Sequence, residues 1–329
     1  MNYDVTPSSH AAAYSATPAT KLAAAAARTI ESVNRFGDRW GIPPSQRYTD
    51  YHKMLDNEAL DIVSVVTRAD LHAEVVIEAA KKNVKGIIAE KAMATSAAEA
   101  DAMIEACEER NVKLLINHPR RYHPVFRMAK EELESGSIGR LTSMRGAIWT
   151  FLIHNGSHLW DCFRYFAGDA DWVSGTLVGA VSGDPAGYGV VHFRNDVFAL
   201  ADVATMQGTN MQLHGTDGMI NIDMFSPGYT RTTYDDVISA GPDRPAYQFR
   251  PRRIKEMKLT PPPLTFTTPM QAAILDLIDC IEKNNQPKSS GHDGLAALEI
   301  GLAFHLSHAN QTCRVRLPLK DREFRVVSR

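Results

Sequence analysis

A chain of 329 residues is long enough for two domains and can bury a hydrophobic core without disulfides or metal. Hydrophobic residues make up 44% and charged residues 22%, and the net charge of -2 comes with no long run of one sign, which argues against nucleic acid or an acidic membrane as a partner. The 4 cysteines (Cys107, Cys162, Cys280, Cys313) lie far apart with no C-x-x-C pair, so reduced thiols and a cytoplasmic setting are expected. In chain order, HAAAYSA opens a first helix at His10, preceded only by MNYDVTPSS. This start has no basic segment leading into a leucine-rich run and does not read as a signal peptide. KLAAAAA reads as a strand, and ESVNRFGDRWGI as a helix closing on Gly41. RYTDYHKML is a short strand turning into a helix, followed by the strand DIVSVVT and the helix LHAEVVIEAAKKN. GIIAEK, SAAEADAMIEACEERN and VKLLIN continue as strand, helix and strand. The strands are apolar with little alternation, as expected of parallel strands covered on both faces. Strand–helix alternation of this kind predicts a doubly wound α/β layer over residues 1–118.

From residue 119 to 329 the character shifts to an α+β domain with an open, mainly antiparallel sheet. HPVFRMAKEELESG is a helix ending at Gly136. LTSMRGAIWTF, GYGVVHFRNDVFALADVAT, NMQLHGTDGMINID and RVRLPL read as long strands, with hairpin signals at Arg194-Asn195-Asp196 and Gly215-Thr216-Asp217-Gly218. Helices are expected around 157–167, 268–283 and 291–309, and the Pro-, Tyr- and Arg-rich stretch 225–267 as a long loop.

A doubly wound nucleotide-binding domain opens with a strand and a glycine-rich turn whose amides meet the pyrophosphate. The first glycine here is Gly37, and Asp4, Pro7 and two serines make a poor central strand. The expectation is a Rossmann-like sheet lacking its usual first strand. Its neighbours would be left with unpaired backbone groups at roughly 1–3 kcal/mol each. Residues 1–9, closure of the sheet or another subunit would have to fill the gap. After KLAAAAA, where an acid would bond the cofactor ribose, stand Ala27-Arg28. Arg28 suits either a 2′-phosphate or a solvated surface position.

Several ordered segments are similar to one family. They are HAAAY with RWGI and YTDYHKML, VVTRADLHAEVVIEAA, AEKAMATSAAEADAMIEACEERNVKL, NHPRRYHPVF, ELESGSIG, NGSHLWDCFRYFAGD, LHGTDGMINID and SSGHDGLAALEIGLA. Together they resemble the glucose–fructose oxidoreductase and inositol dehydrogenase (Gfo/Idh/MocA) family. The resemblance implies a Rossmann domain followed by an α/β domain whose open sheet serves assembly, a homodimer or homotetramer. It implies NAD or NADP as cofactor and a sugar, cyclitol or sugar acid as substrate.

Glu90-Lys91-Ala92 matches the family's glutamate-lysine-proline motif, whose lysine sits near the reacting carbon. A lysine there can steady a developing alkoxide. His158 matches the histidine that removes the hydroxyl proton, and Asp161 lies one helical turn on. His154 stands where an aspartate is common. Asn155, Tyr122, Trp149 and Trp160 are candidate pocket walls, and Arg120 or Arg121 a partner for an acidic group. On the cofactor side the family's threonine-proline-asparagine turn is Thr67-Arg68-Ala69, with His72 kept, so Arg28, Thr67, His72 and Glu90 are the candidate contacts. The leading reading is hydride transfer to a nicotinamide with Lys91 and His158 as catalytic groups. A dinucleotide-independent lyase, isomerase or hydrolase, including a metal variant through His154, His158 and Asp161, stays open. So does a non-catalytic sugar-binding regulator.

Overall fold

A computed structural model describes residues 7–179, 183–204, 209–224, 228–234, 253–259 and 267–327. Its first half runs α1 (His10–Ser15), β1 (Ala25–Ala26), α2 (Ile30–Trp40), β2 (Arg47–Tyr48), α3 (Tyr51–Asn57), β3 (Ile62–Val65), α4 (Ala69–Ala80), β4 (Gly86–Ala89), α5 (Ala97–Glu108) and β5 (Lys113–Ile116). Ser9, Thr29, Asp50 and Ser96 each accept a first-turn backbone N–H of the helix they precede. Gly41 ends α2 in the left-handed region at φ 70, a conformation that a side chain would strain. Every residue of β4 and β5 is buried, as the unbroken apolar runs predict.

β3, β4 and β5 form one parallel sheet in that order, while β1 and β2 form a separate parallel pair. Among the described residues β1 therefore has only β2 as a partner, and β3 only β4. Both strands border one groove of about 1660 Å³, lined by Ala23–Ala27 on one side and Ile62–Val66 on the other. The exposed apolar side chains of Phe36, Val66 and Leu71 also line it. The expected gap in the sheet is thus present among the described residues. Of its candidate filler, residues 1–6 lie outside them; Ser8 and Ser9 lie on the groove wall, where Ser9 caps α1.

The second half adds α6 (Pro124–Glu134), β6 (Leu141–Ala147), α7 (Gly156–Ala167), β7 (Ala170–Val178), β8 (Ala186–Phe193), β9 (Phe198–Asp202), β10 (Asn210–Gly215), β11 (Gly218–Asp223), β12 (Tyr229–Tyr234), β13 (Arg253–Leu259), α8 (Pro269–Lys283), α9 (Gly291–Ala309) and β14 (Val315–Arg316). A 9-stranded sheet runs β13-β12-β11-β10-β6-β9-β8-β7-β14, antiparallel throughout except between β6 and β9. The stretch 225–267 differs from its reading as a loop. It carries β12 and β13, which pair with each other and extend the sheet edge beyond β11. The proline and arginine content of the stretch outweighed Tyr229–Tyr234, whose tyrosines and threonines suit a strand.

One face of this sheet is packed tightly. A Cβ placed on Gly146 would lie 2.4 Å from Leu159 of α7, and one on Gly175 would lie 2.3 Å from the Phe304 ring. Trp160 stacks on that ring at 4.8 Å. The glycines let helix side chains meet the strand backbone directly.

The chain divides into two compact units. The first comprises Met1–Tyr122, Leu264–Leu298 and Asp321–Arg329, and the second His123–Pro263 and Glu299–Lys320. A single boundary after residue 118 is therefore too simple. Met270, Ala273, Ile274 and Leu277 of α8 form a core with Ala13, Tyr14, Ile88, Leu115 and Tyr122, which ties α8 to the first unit. The tail is tied there too, with Arg322 Nε donating to Asp101 at 2.7 Å and Val326 N to the Thr95 carbonyl at 2.9 Å.

Candidate active site

In the first unit the carboxyl ends of β3, β4 and β5 deliver Ser64, Glu90 and Asn117 to the groove. This is where open α/β sheets bind ligands. Successive turns of α1 add His10 and Tyr14. Glu90 Oε1 accepts from His10 Nε2 at 3.0 Å and from Asn117 Nδ2 at 2.7 Å, and Oε2 from the Lys91 amide at 3.2 Å. His10 Nδ1 lies 3.1 Å from Ser64 Oγ, which lies 3.0 Å from the Tyr14 hydroxyl. Burial alone would raise the Glu90 carboxyl. The hydrogen bonds from His10 and Asn117, with the nearby charge of Lys91, outweigh it and bring the group down to about 2. Burial, eased by the bond to Ser64, pushes Tyr14 up to about 12. Because Asn117 Nδ2 serves the carboxylate, its Oδ1 is the acceptor left over. That buried atom has no hydrogen-bond partner among the described residues.

The turns around this cluster hold the other candidates. Thr67 and Arg28 are exposed on the groove wall, Arg28 two residues after β1. Arg68 pairs with Asp70 at the start of α4. His72 is corrected from a cofactor contact to a brace. It is buried, with one ring nitrogen 3.0 Å from the Ala92 carbonyl and the other 3.0 Å from the Thr67 carbonyl, so it joins two turns. Lys91 is half-buried, and the Lys91–Ala92 peptide is cis.

In the second unit α7 carries His158 and Asp161 one turn apart on one face, His158 half-buried and Asp161 buried. The segment before it is fixed by Asp184, which accepts the backbone amides of Ile153 at 2.7 Å and His154 at 2.8 Å. Asn155 Nδ2 donates to the Trp149 carbonyl at 3.1 Å, bracing a turn in which Thr150 and Phe151 take positive φ values of 29 and 70. His154 meets Phe151 edge-on at 6.4 Å. The Trp149 ring is exposed, whereas Trp160 is fully buried, with Nε1 donating to the Leu152 carbonyl at 2.7 Å. Trp160 is therefore core rather than pocket wall.

Two further candidates are placed as scaffold. Tyr122 is buried in the α8 core with its hydroxyl donating to Asp276 at 2.9 Å. Arg121 donates to the Lys288 carbonyl at 2.7 Å and to Asp293 at 3.1 Å. Core packing engages Tyr122, and the Lys288 carbonyl and Asp293 engage Arg121. His10, Ser64, Tyr14, Asn117 and Asp184 were missed as site residues. A signal existed for Ser64 and Asn117, polar residues at the ends of successive apolar strands. Among the described residues, no group of three or more His, Cys, Asp or Glu side chains is placed to hold a metal ion. No helix of the described residues is long and apolar enough to cross a membrane.

A dinucleotide fits this groove at two places. The unpaired Asn117 Oδ1 asks for a donor such as a carboxamide or ribose hydroxyl, and an unmet buried acceptor costs roughly 1–3 kcal/mol. The wall also carries Lys21, Arg28, Arg35, Arg39 and Lys85 against Asp61, Glu90 and Glu282, a basic excess suited to phosphates. No glycine turn occurs between Pro7 and α1.

Comparison with known proteins agrees. Residues 6–118 match an oxidoreductase family described as an NAD-binding Rossmann fold, and residues 144–317 match the C-terminal α/β domain of the same family. The chain is 26% identical over 225 residues to a levoglucosan dehydrogenase of Pseudarthrobacter phenanthrenivorans, a match covering 52% of this chain and 57% of that protein. It is 25% identical over 308 residues to a D-apiose dehydrogenase of Paraburkholderia graminis, covering 84% of this chain and 78% of that protein. The fold is shared with an oxidoreductase from Agrobacterium radiobacter solved in complex with NAD+, L-tartaric acid and magnesium. There the TM-score is 0.77 at 20% identity, over 93% of this chain and 94% of that one.

Proposed function

The chain belongs to the Gfo/Idh/MocA oxidoreductase family, and from that premise we propose that it is an NAD- or NADP-dependent dehydrogenase of a polyhydroxylated substrate, a sugar, cyclitol or sugar acid. What carries the reading is the polar cluster of Ser64, Glu90 and Asn117 at the strand ends, in a groove with an unmet acceptor and a basic wall. The two relatives named for carbohydrate substrates support the substrate class. The nicotinamide, when bound, supplies the hydride acceptor. His158 takes the substrate hydroxyl proton, and the Lys91 ammonium steadies the oxygen as its negative charge develops. Asp161, buried one turn along α7, orients the substrate side. Asn155 and Asp184 act by holding the 149–155 turn in place. Arg28 and Thr67 are the proposed cofactor contacts on the groove wall.

The same reading makes the protein a homodimer or homotetramer through the outer face of its 9-stranded sheet. Tyr188, Phe198 and Leu200 stand exposed there on the neighbouring strands β8 and β9. A cytoplasmic location goes with the widely spaced, unbridged cysteines.

One observation favours a second reading. The lone partners of β1 and β3 leave the dinucleotide half incomplete among the described residues. Lys91 and His158 would then catalyse proton abstraction without redox change. A panel of sugars, cyclitols and sugar acids with NAD or NADP separates the two. Reduced nicotinamide should form, and His158→Ala should slow its formation by about 100- to 10,000-fold while leaving the melting temperature near wild type. Substrate turnover without any nicotinamide change would establish the second reading instead.

A further inference from the structure

With a neutral His10 imidazole the hydrogens of the Glu90 cluster assign in one way. A carboxylate only accepts, so His10 Nε2 carries the hydrogen shared with Glu90 Oε1 at 3.0 Å. His10 Nδ1 then accepts from Ser64 Oγ at 3.1 Å, and Ser64 Oγ accepts from the Tyr14 hydroxyl at 3.0 Å. Each donor is satisfied, and the chain of hydrogen bonds runs one way, from Tyr14 through Ser64 and His10 to Glu90. Reversing it would leave the Tyr14 hydrogen without an acceptor in a buried position. Asn117 and the Lys91 amide add two more donors to the same carboxylate. Five residues from α1 and the ends of three strands thus hold one negative charge at a fixed point. They hold it on the groove wall, with 25% of the Glu90 side-chain surface still exposed.

A fixed, partly desolvated charge discriminates between ligands that differ by a charge. The oxidised nicotinamide ring is cationic and the reduced ring neutral. Resting on the dinucleotide reading above, we infer that Glu90 selects the oxidised cofactor over the reduced one and that His10 is the positioning residue that holds Glu90 for this task. The selection favours loading of the oxidised form and release of the reduced form, the direction of alcohol oxidation. A purely structural His10–Glu90 pair would stabilise the fold but treat both cofactor forms alike.

The test measures dissociation constants of the purified full chain for NAD+, NADH, NADP+ and NADPH by titration calorimetry. The wild type should bind the oxidised form of its preferred cofactor with a ratio that Glu90→Gln lowers on the order of tenfold, the scale expected for a unit charge in a partly buried site. His10→Ala, which keeps the charge but frees the side chain, should lower the ratio by a smaller factor. His10→Gln, whose amide can donate to Glu90 Oε1, should restore it. Circular dichroism and melting curves identify folded variants, and the His10 pair carries the test if Glu90→Gln does not fold. Binding of both forms with a ratio unchanged in the Glu90 or His10 variants overturns the inference and leaves the dehydrogenase reading intact. A wild type that binds neither form overturns that reading and the inference with it.

Discussion

In the 9-stranded sheet each strand between the two edge strands is bonded on both sides, whereas in the first unit β1 and β3 each have one partner among the described residues. The 9-stranded sheet meets its helices through glycines that admit Phe304, Leu159 and Phe163 against the backbone. The open one leaves alanines, Val66 and Leu71 facing a groove. One region spends its residues on packing and the other on access. Close packing tolerates little change of volume, while a groove wall tolerates much. The hydrogen-bonded cluster of His10, Ser64, Glu90 and Asn117 accordingly lies on the open side.

The largest expected effect would break the packed side. Gly189→Val places a Cβ 2.4 Å from the Ser174 carbonyl oxygen and 2.5 Å from the Phe304 ring. Backbone cannot retreat there as a side-chain tip can, so a loss of about 3 kcal/mol is expected in chemical denaturation. A wild-type midpoint would show that the sheet opens more easily than its geometry implies.

A middle-sized effect belongs to Glu90. Its folded value, about 2, lies below the ordinary 4.5, so it adds stability above pH 4.5 that is lost as the pH falls toward 2. Stability of the wild type should fall across that window, and Glu90→Gln should flatten the curve there. An equal slope in both proteins would mean that other carboxylates dominate acid unfolding.

The smallest effect tests the open side. Val66→Thr and Leu71→Gln alter side chains that are 58% and 43% exposed on the groove wall. Melting should shift by no more than about 0.5 kcal/mol equivalent. A loss above about 2 kcal/mol in either would show that the groove is filled by packed chain and that the contrast between the two regions is only partial.

Much of this architecture was legible in the sequence. The apolar runs of β3–β5, the helix end at Gly41 and the two hairpin turns are local signals, and local signals survive without tertiary context. The return of α8 to the first unit was not legible, because Met270 and Leu277 look alike whichever core they join. β12 and β13 were hidden for a related reason, since pairing of β12 with β11 and of β13 with β12, rather than an unbroken apolar run, makes them strands. At the site, Lys91, His158 and Asp161 were reached through motif resemblance. Tyr122, Arg121 and His72 carried the chemistry of ligand contacts but met Asp276, Asp293 and backbone carbonyls instead. The His10–Glu90–Asn117 cluster joins residues up to 107 positions apart. No spacing rule reaches that far.

We propose that the first unit binds a nicotinamide dinucleotide in the groove bordered by β1 and β3. Calorimetric titration of the full chain with NAD and with NADP tests it most directly. The account predicts one saturable site per chain for at least one of them, weakened by Arg28→Glu through the basic wall. No heat and no thermal shift at millimolar concentration of either cofactor would contradict it.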